Sequence, residues 1–320
     1  MRSHPDRRAT TLATVPTADD REHLAMQPPG SGAMDCRIDL KLLSWRALRA
    51  AGRSAAARRR IDAFDPMMRP DLWAGTVQDG TARGFMAALE EAIALAPKAD
   101  DAWPQPPDDP TRVQTFEGKA LRKKKELLVE SGGSRIRFSR KEGVLFVDRD
   151  AGVNSPNCLR FEARKDLGTL DGFVGDENER PRLFSAQFLQ PVRHTTGAGY
   201  SELLLRGRLG RTQDGFDCEV LFVASANEPF VRMRIRIDNR HENHRLRARF
   251  LGLPSALVHH DCVDVHDEVQ NDAGGFLAFT LVRACGTLMV QGAPLAVPMA
   301  QCRGFLEHDF TLGSDVGKRG

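Results

Sequence analysis

Between Phe230 and Phe250 the side chains alternate with a period of two, the pattern of a half-buried β-sheet. Phe230–Asp238 reads FVRMRIRID, with Val231, Met233, Ile235 and Ile237 on one side and Arg232, Arg234 and Arg236 on the other. In Arg245–Phe250, Leu246, Ala248 and Phe250 oppose Arg245, Arg247 and Arg249. The polar run DNRHENH between them has the length of a hairpin loop, so the two strands are expected to pair. Pairing would set six guanidinium groups in a ladder. Like charges opposite one another destabilise a sheet, so acids must interleave or the side chains must splay into water. A solvated face, with Arg stems covering apolar atoms, is favoured over a surface for an anionic partner. The charge balance decides this, because 43 acids nearly offset 46 bases.

Further strands are expected at Gly143–Asp148, Glu202–Leu209, Asp217–Ala224, Gly275–Arg283 and Phe305–Leu312. Strands at this spacing, with almost no helical pattern between them, predict an antiparallel β-sandwich over residues 116–312, followed by a tail over 313–320. Residues 1–115 read differently. Residues 1–35 are polar and aperiodic, and are expected to be disordered. Leu40, Leu43, Leu48 and Ile61 mark a thin apolar stripe interrupted by Gly52. A second helix is predicted from a Thr81 cap through Phe85, Met86, Leu89, Ile93 and Leu95, stopped by Pro97. KADDAWPQPPDDP then reads as a linker. Two short helices bury little, so residues 1–115 are read as a disordered or weakly helical extension and linker.

Composition excludes several classes of function. A net charge of +3 offers no wide basic field for nucleic acid. No run approaches the roughly 20 apolar residues of a membrane span. The N-terminal segment has Arg but no apolar stretch of a secretory signal. Six scattered cysteines without a C-x-x-C pair point to buried thiols in a reducing compartment, hence the cytoplasm. Gly-x-Ser-x-Gly, P-loop and dinucleotide fingerprints are absent.

Four segments, in order, resemble a known family. They are GVLFVDRDAG (Gly143–Gly152) with LRFEARKDLG (Leu159–Gly168), then DNRHENHRLRARF (Asp238–Phe250), GGFLAFTLVRACG (Gly274–Gly286) and AQCRGFLEHDF (Ala300–Phe310). Together they resemble the C-terminal β-sandwich of the glycoside hydrolase family 38 α-mannosidases and cover a little over half of the chain. The resemblance implies a sandwich that packs on a catalytic α/β-barrel-like domain. It also implies a zinc site in that catalytic domain, built from a His-x-Asp pair, a further Asp and a His, with one Asp as nucleophile. The single early His-x-Asp here is His4-Pro5-Asp6, in a segment read as disordered. A metal-bound nucleophile needs a rigid shell. The catalytic domain is therefore expected to be missing, and no cofactor is expected on this chain. The family's helical link from barrel to sandwich is not recognisable in residues 38–115. The family's sandwich Tyr near the sugar is replaced around Asp171, and Tyr200 is this chain's one tyrosine.

The densest titratable run is His259–Glu268, with His260, Asp261 and His266 as candidate metal ligands. On a straight strand, same-face neighbours lie about 6–7 Å apart, too far to close four ligands on one ion. A polar surface segment is the favoured reading. His308, between inward-facing Leu306 and Phe310, reads as a hydrogen-bonded core histidine rather than a catalytic one. No catalytic residue is assigned. Three functions are weighed: an inactive remnant of a family 38 enzyme, a carbohydrate-binding module, and one subunit of a split enzyme. The expected partners are a carbohydrate or a separately encoded catalytic domain, with neither nucleic acid nor membrane.

Overall fold

The computed structural model describes residues 43, 46–47, 54–62, 79–95, 103–107, 110–168, 175, 178–211, 215–260, 267–269, 275–290 and 293–314. The disorder expected for residues 1–35 falls outside them. Helix α1 (Ala55–Asp62) opens on Ser54, whose hydroxyl accepts the Ala57 N–H at 3.2 Å and donates to the Leu95 carbonyl at 3.0 Å. Helix α2 (Asp79–Ala94) begins ahead of Thr81, so Thr81 lies in its first turn and is not the cap. Small residues let the two helices meet: Ala57, Ala88 and Ala92 are buried with Leu89.

Among the described residues, the remainder is built of strands apart from a one-turn helix, α3 (Lys119–Arg122), and short 3-10 turns. The first strands are β1 (Gln114–Glu117), β2 (Leu127–Glu130), β3 (Ser134–Ser139), β4 (Gly143–Asp148), β5 (Val153–Ser155) and β6 (Leu159–Lys165). There follow β7 (Arg182–Ser185), β8 (Gln190–Gly197), β9 (Tyr200–Leu209), β10 (Phe216–Ser225), β11 (Val231–Asn239) and β12 (His244–Leu251). The last are β13 (Val258–His260), β14 (Asp267–Val269), β15 (Phe276–Ala284), β16 (Thr287–Val290), β17 (Ala293–Ala296) and β18 (Gly304–Leu312). A seven-stranded sheet runs β1-β8-β9-β10-β11-β18-β13, and a five-stranded sheet runs β14-β15-β12-β6-β7. A four-stranded sheet (β2 to β5) and the hairpin β16-β17 complete the set. Every strand pair is antiparallel, and the fold is a mainly β sandwich as expected. The five further strands read from alternation correspond to β4, β9, β10, β15 and β18.

The expected hairpin does not form. β11 pairs with β10 and β18, whereas β12 pairs with β15 and β6 in the other sheet. Alternation located both strands correctly, since Val231, Met233, Ile235, Ile237, Leu246 and Phe250 are all buried. It could not say which strands would pair, because one apolar face packs equally well across a sandwich as beside a neighbour. The loop between them is a crossover, turned by Asn243 at φ 51°. Asn243 takes its place among hydrogen bonds to the Gln301 side chain and the Gly286 N–H at 3.0–3.1 Å.

The two main sheets meet through aromatic edges. Phe250 and Phe279 of the smaller sheet and Phe310 of the larger have ring centroids 5.3–5.6 Å apart, in tilted or T-shaped contacts. The four-stranded sheet adds Val129, Ile136, Phe138, Val144 and Phe146 to the same core.

Candidate functional site: a groove on the outer face of the large sheet

The sequence candidates resolve first. His260 ends β13 with its side chain in the core, and its Nε2 lies 3.0 Å from Nδ1 of His308. His308 Nε2 is 2.8 Å from the Leu281 carbonyl. A carbonyl only accepts, so His308 carries its proton on Nε2, its Nδ1 accepts, and His260 Nε2 donates. Burial is the main force holding both imidazoles neutral; it pushes the His308 pKa down to about 4, and that of His260 well below its usual value. His308 is thus the hydrogen-bonded core histidine expected. His260 departs from the surface reading of its segment, because Val258–His260 pairs with β18 and turns His260 onto Phe310, at 4.6 Å between ring centroids. Asp261 and His266 lie outside the described residues. Among the described residues, no three His, Cys, Asp or Glu side chains converge as a metal site would require.

The six arginines divide between two sheets. Those of β11 stand on the outer face of the large sheet, interleaved with acids. Arg232 is held by Glu228, and Arg234 meets both oxygens of Asp309 at 2.6 and 2.9 Å. Those of β12 are more enclosed than the solvated ladder expected. Arg247 and Arg249 share Glu162 of β6 at 2.6 and 3.1 Å, and Arg249 lies over Phe276. Burial lowers the Arg249 pKa, with Arg247 and Arg160 adding to the effect. Tyr200 is buried and donates to Glu202 at 2.8 Å, and Glu202 is also held by Arg193. Asp171 lies outside the described residues.

The described residues enclose a groove of about 440 Å³ across β9, β10, β11 and the start of β18. Its walls are cross-strand ion pairs: Arg206 with Glu219 at 2.6 Å, and Arg208 with Asp217 at 3.6 Å. Asp238 accepts from Arg240 Nε at 2.6 Å. At one end the Arg236 guanidinium stacks on the Phe305 ring, 4.2 Å from its centroid. Donors, acceptors and one apolar ring face are thereby gathered on rigid strands. The sequence reading placed no site here, since the walls come from four strands separated by up to about a hundred residues. One signal was available. The alternation that turns Leu306 and Phe310 inward turns Phe305 outward, and it is 63% exposed.

Four segments that drew attention in the sequence meet one another in the fold. Asp166 and Arg283, from two of them, form an ion pair at 2.5 Å with both side chains fully buried. Cys285 Sγ and the Gly168 N–H also donate to Asp166. Asn239 Nδ2 donates to the carbonyls of Gln301 and Cys302 at 2.8 and 3.0 Å. These contacts pin the places where the chain passes between sheets.

Fold and core together define a large antiparallel sandwich of the type found in family 38 glycoside hydrolases. An α-mannosidase from Enterococcus faecalis V583 superposes with a TM-score of 0.60 at 12% identity, over 91% of this chain and 55% of that one. A family 38 glycosyl hydrolase from Enterococcus faecalis gives 0.61 at 12% identity, over 88% and 56%. No protein-family model and no curated protein sequence matches the chain. At this identity the likeness establishes the fold alone. The chain spans about half the length of the solved structures it matches.

Proposed function

We propose that this chain is the non-catalytic β-sandwich portion of a family 38-type α-mannosidase. The observation that carries the reading is the shared fold over about nine-tenths of the chain and about half of each neighbour. It is supported by the way the family-like segments are used. Asp166, Arg283, Asn239, Gln301 and His308 are spent on contacts within the sandwich. Retaining glycoside hydrolysis needs two carboxyl groups flanking the bond to be cleaved, one as nucleophile and one as acid and base. In this reading those groups, and the zinc that the family resemblance implies, belong to a catalytic domain. The sandwich supports that domain, whether the two share a polypeptide or associate, and itself holds no cofactor. Four buried free thiols, at Cys158, Cys218, Cys285 and Cys302, favour a cytoplasmic location.

An aryl α-mannoside assay on the purified chain, with and without zinc, tests the reading. The expected result is no turnover, since binding alone does not overcome a very slow uncatalysed reaction. Turnover that survives repurification, and is lost on removing an acid between Asp261 and Glu268, would overturn it.

A further inference from the structure

The outer face of the large sheet is covered unevenly. Around Arg234 it is closed, because both oxygens of Asp309 accept from one edge of the guanidinium and Trp103 lies against it at 4.7 Å. Glu307, the next outward residue of β18, is met by Arg46 at 3.7 Å. Among the described residues, the cover stops at Arg236 and Phe305 and the groove opens. Arg236 stands in register between Glu219 and Glu307. Yet Glu219 is engaged by Arg206 and Glu307 by Arg46. The Arg236 Nε is buried with no hydrogen-bond partner among the described residues, and its guanidinium lies on an aromatic ring rather than on a carboxylate.

We infer that this groove binds a neutral pyranose ring of a glycan, with Phe305 as the stacking platform and Arg236 as the principal donor to the sugar. A pyranose has an apolar C–H face and an edge of hydroxyls that both donate and accept. Phe305 is 63% exposed and supplies the surface for the C–H face. Arg236 supplies spare N–H groups. Asp217, Glu219 and Asp238 supply acceptors in the same groove. Each of these carboxylates is already paired with an arginine of the groove, so only the charge of Arg236 is left over, and the alternation of donors and acceptors suits the hydroxyls of a neutral polyol. The wall ion pairs are partly exposed, where such pairs contribute little, so one donor or acceptor can turn to a hydroxyl at small cost. The volume of about 440 Å³ falls in the range of small-ligand sites, roughly 300–1,000 Å³. The choice of mannose as first probe rests on the mannosidase reading; the selection of a neutral sugar does not.

The full chain is tested by affinity electrophoresis in gels containing mannan, β-glucan or xylan, alongside Phe305→Ala and Arg236→Gln. Both positions lie on the outer face, and thermal melts check that the variants fold. The expected result is retardation of the wild type by at least one polysaccharide and a loss of about tenfold or more in each variant. Retention by glucan or xylan but not mannan would uphold the groove while counting against the mannosidase reading. No retardation in any gel, retardation equal in all three proteins, or competition by mannose 6-phosphate about tenfold stronger than by mannose would overturn the inference.

Discussion

His308 Nε2 donates to the carbonyl of Leu281, the residue that a bulge leaves out of register between β12 and β15. Val282 pairs with Leu246 and Thr280 with Arg247, so among the described residues the Leu281 carbonyl has no ladder partner in its own sheet. A histidine from the facing sheet satisfies it across the sandwich. The bulge and the histidine are thus one device, and it joins the two sheets beside the aromatic cluster of Phe250, Phe279 and Phe310.

This device makes stability depend on pH. The native pKa of His308 is depressed to about 4, as is that of His244, in both cases chiefly by burial. The unfolded chain therefore binds more protons than the native one below about pH 6.5. The associated stability is fully present above pH 6.5 and is lost as pH falls towards 4, on the order of 3 kcal/mol for each histidine. Urea melts between pH 7 and pH 4 should give a falling stability. His308→Leu should flatten part of that slope and lower stability at pH 7 by about 1–3 kcal/mol, through the stranded Leu281 carbonyl. An unchanged slope in the variant would count against the assignment.

Replacing Arg283 by Met should be severe. It leaves the Asp166 carboxylate in the interior without its guanidinium, and breaking a buried pair in this way costs about 3–5 kcal/mol. Asp166→Asn combined with Arg283→Met should recover a substantial part of the loss, because no uncompensated charge remains. Chemical denaturation of the two variants distinguishes a paired charge from simple packing.

Glu162→Gln should destabilise the smaller sheet for the opposite reason. Glu162 is the carboxylate shared by Arg247 and Arg249, and its neutralisation leaves like charges close together on β12. A loss of about 3 kcal/mol is expected, and it should be reduced at high salt. Thermal melts at low and high ionic strength measure both effects.

Ile235→Asp should prevent folding. Ile235 is fully buried on β11, the strand between β10 and β18, and an unpaired charge there costs several kcal/mol, comparable with the whole stability of a domain. Recovery of a cooperative unfolding transition from this variant would show that the face of β11 had been misassigned. Arg236→Gln, three ångströms of strand rise away on the outer face, should melt within about 0.5 kcal/mol of the wild type.

Alternation along the chain located β4, β9, β10, β11, β12, β15 and β18 and gave the inward faces of β11 and β12 and of Leu306 and Phe310 on β18, because period two is a local property of a strand half-buried in a sheet. The same local logic placed His308 in the core and turned Phe305 outward. Pairing was beyond its reach. β11 and β12 sit in different sheets although a plausible hairpin loop joins them, because the partner of a strand is chosen by contacts distant in the chain. His260 became a core residue for the same reason, since β18 and Phe279 close around it only in the folded sandwich. The groove is likewise tertiary: Arg236 has spare donors because Arg206 takes Glu219 and Arg46 takes Glu307, choices among neighbouring charges that no local pattern encodes.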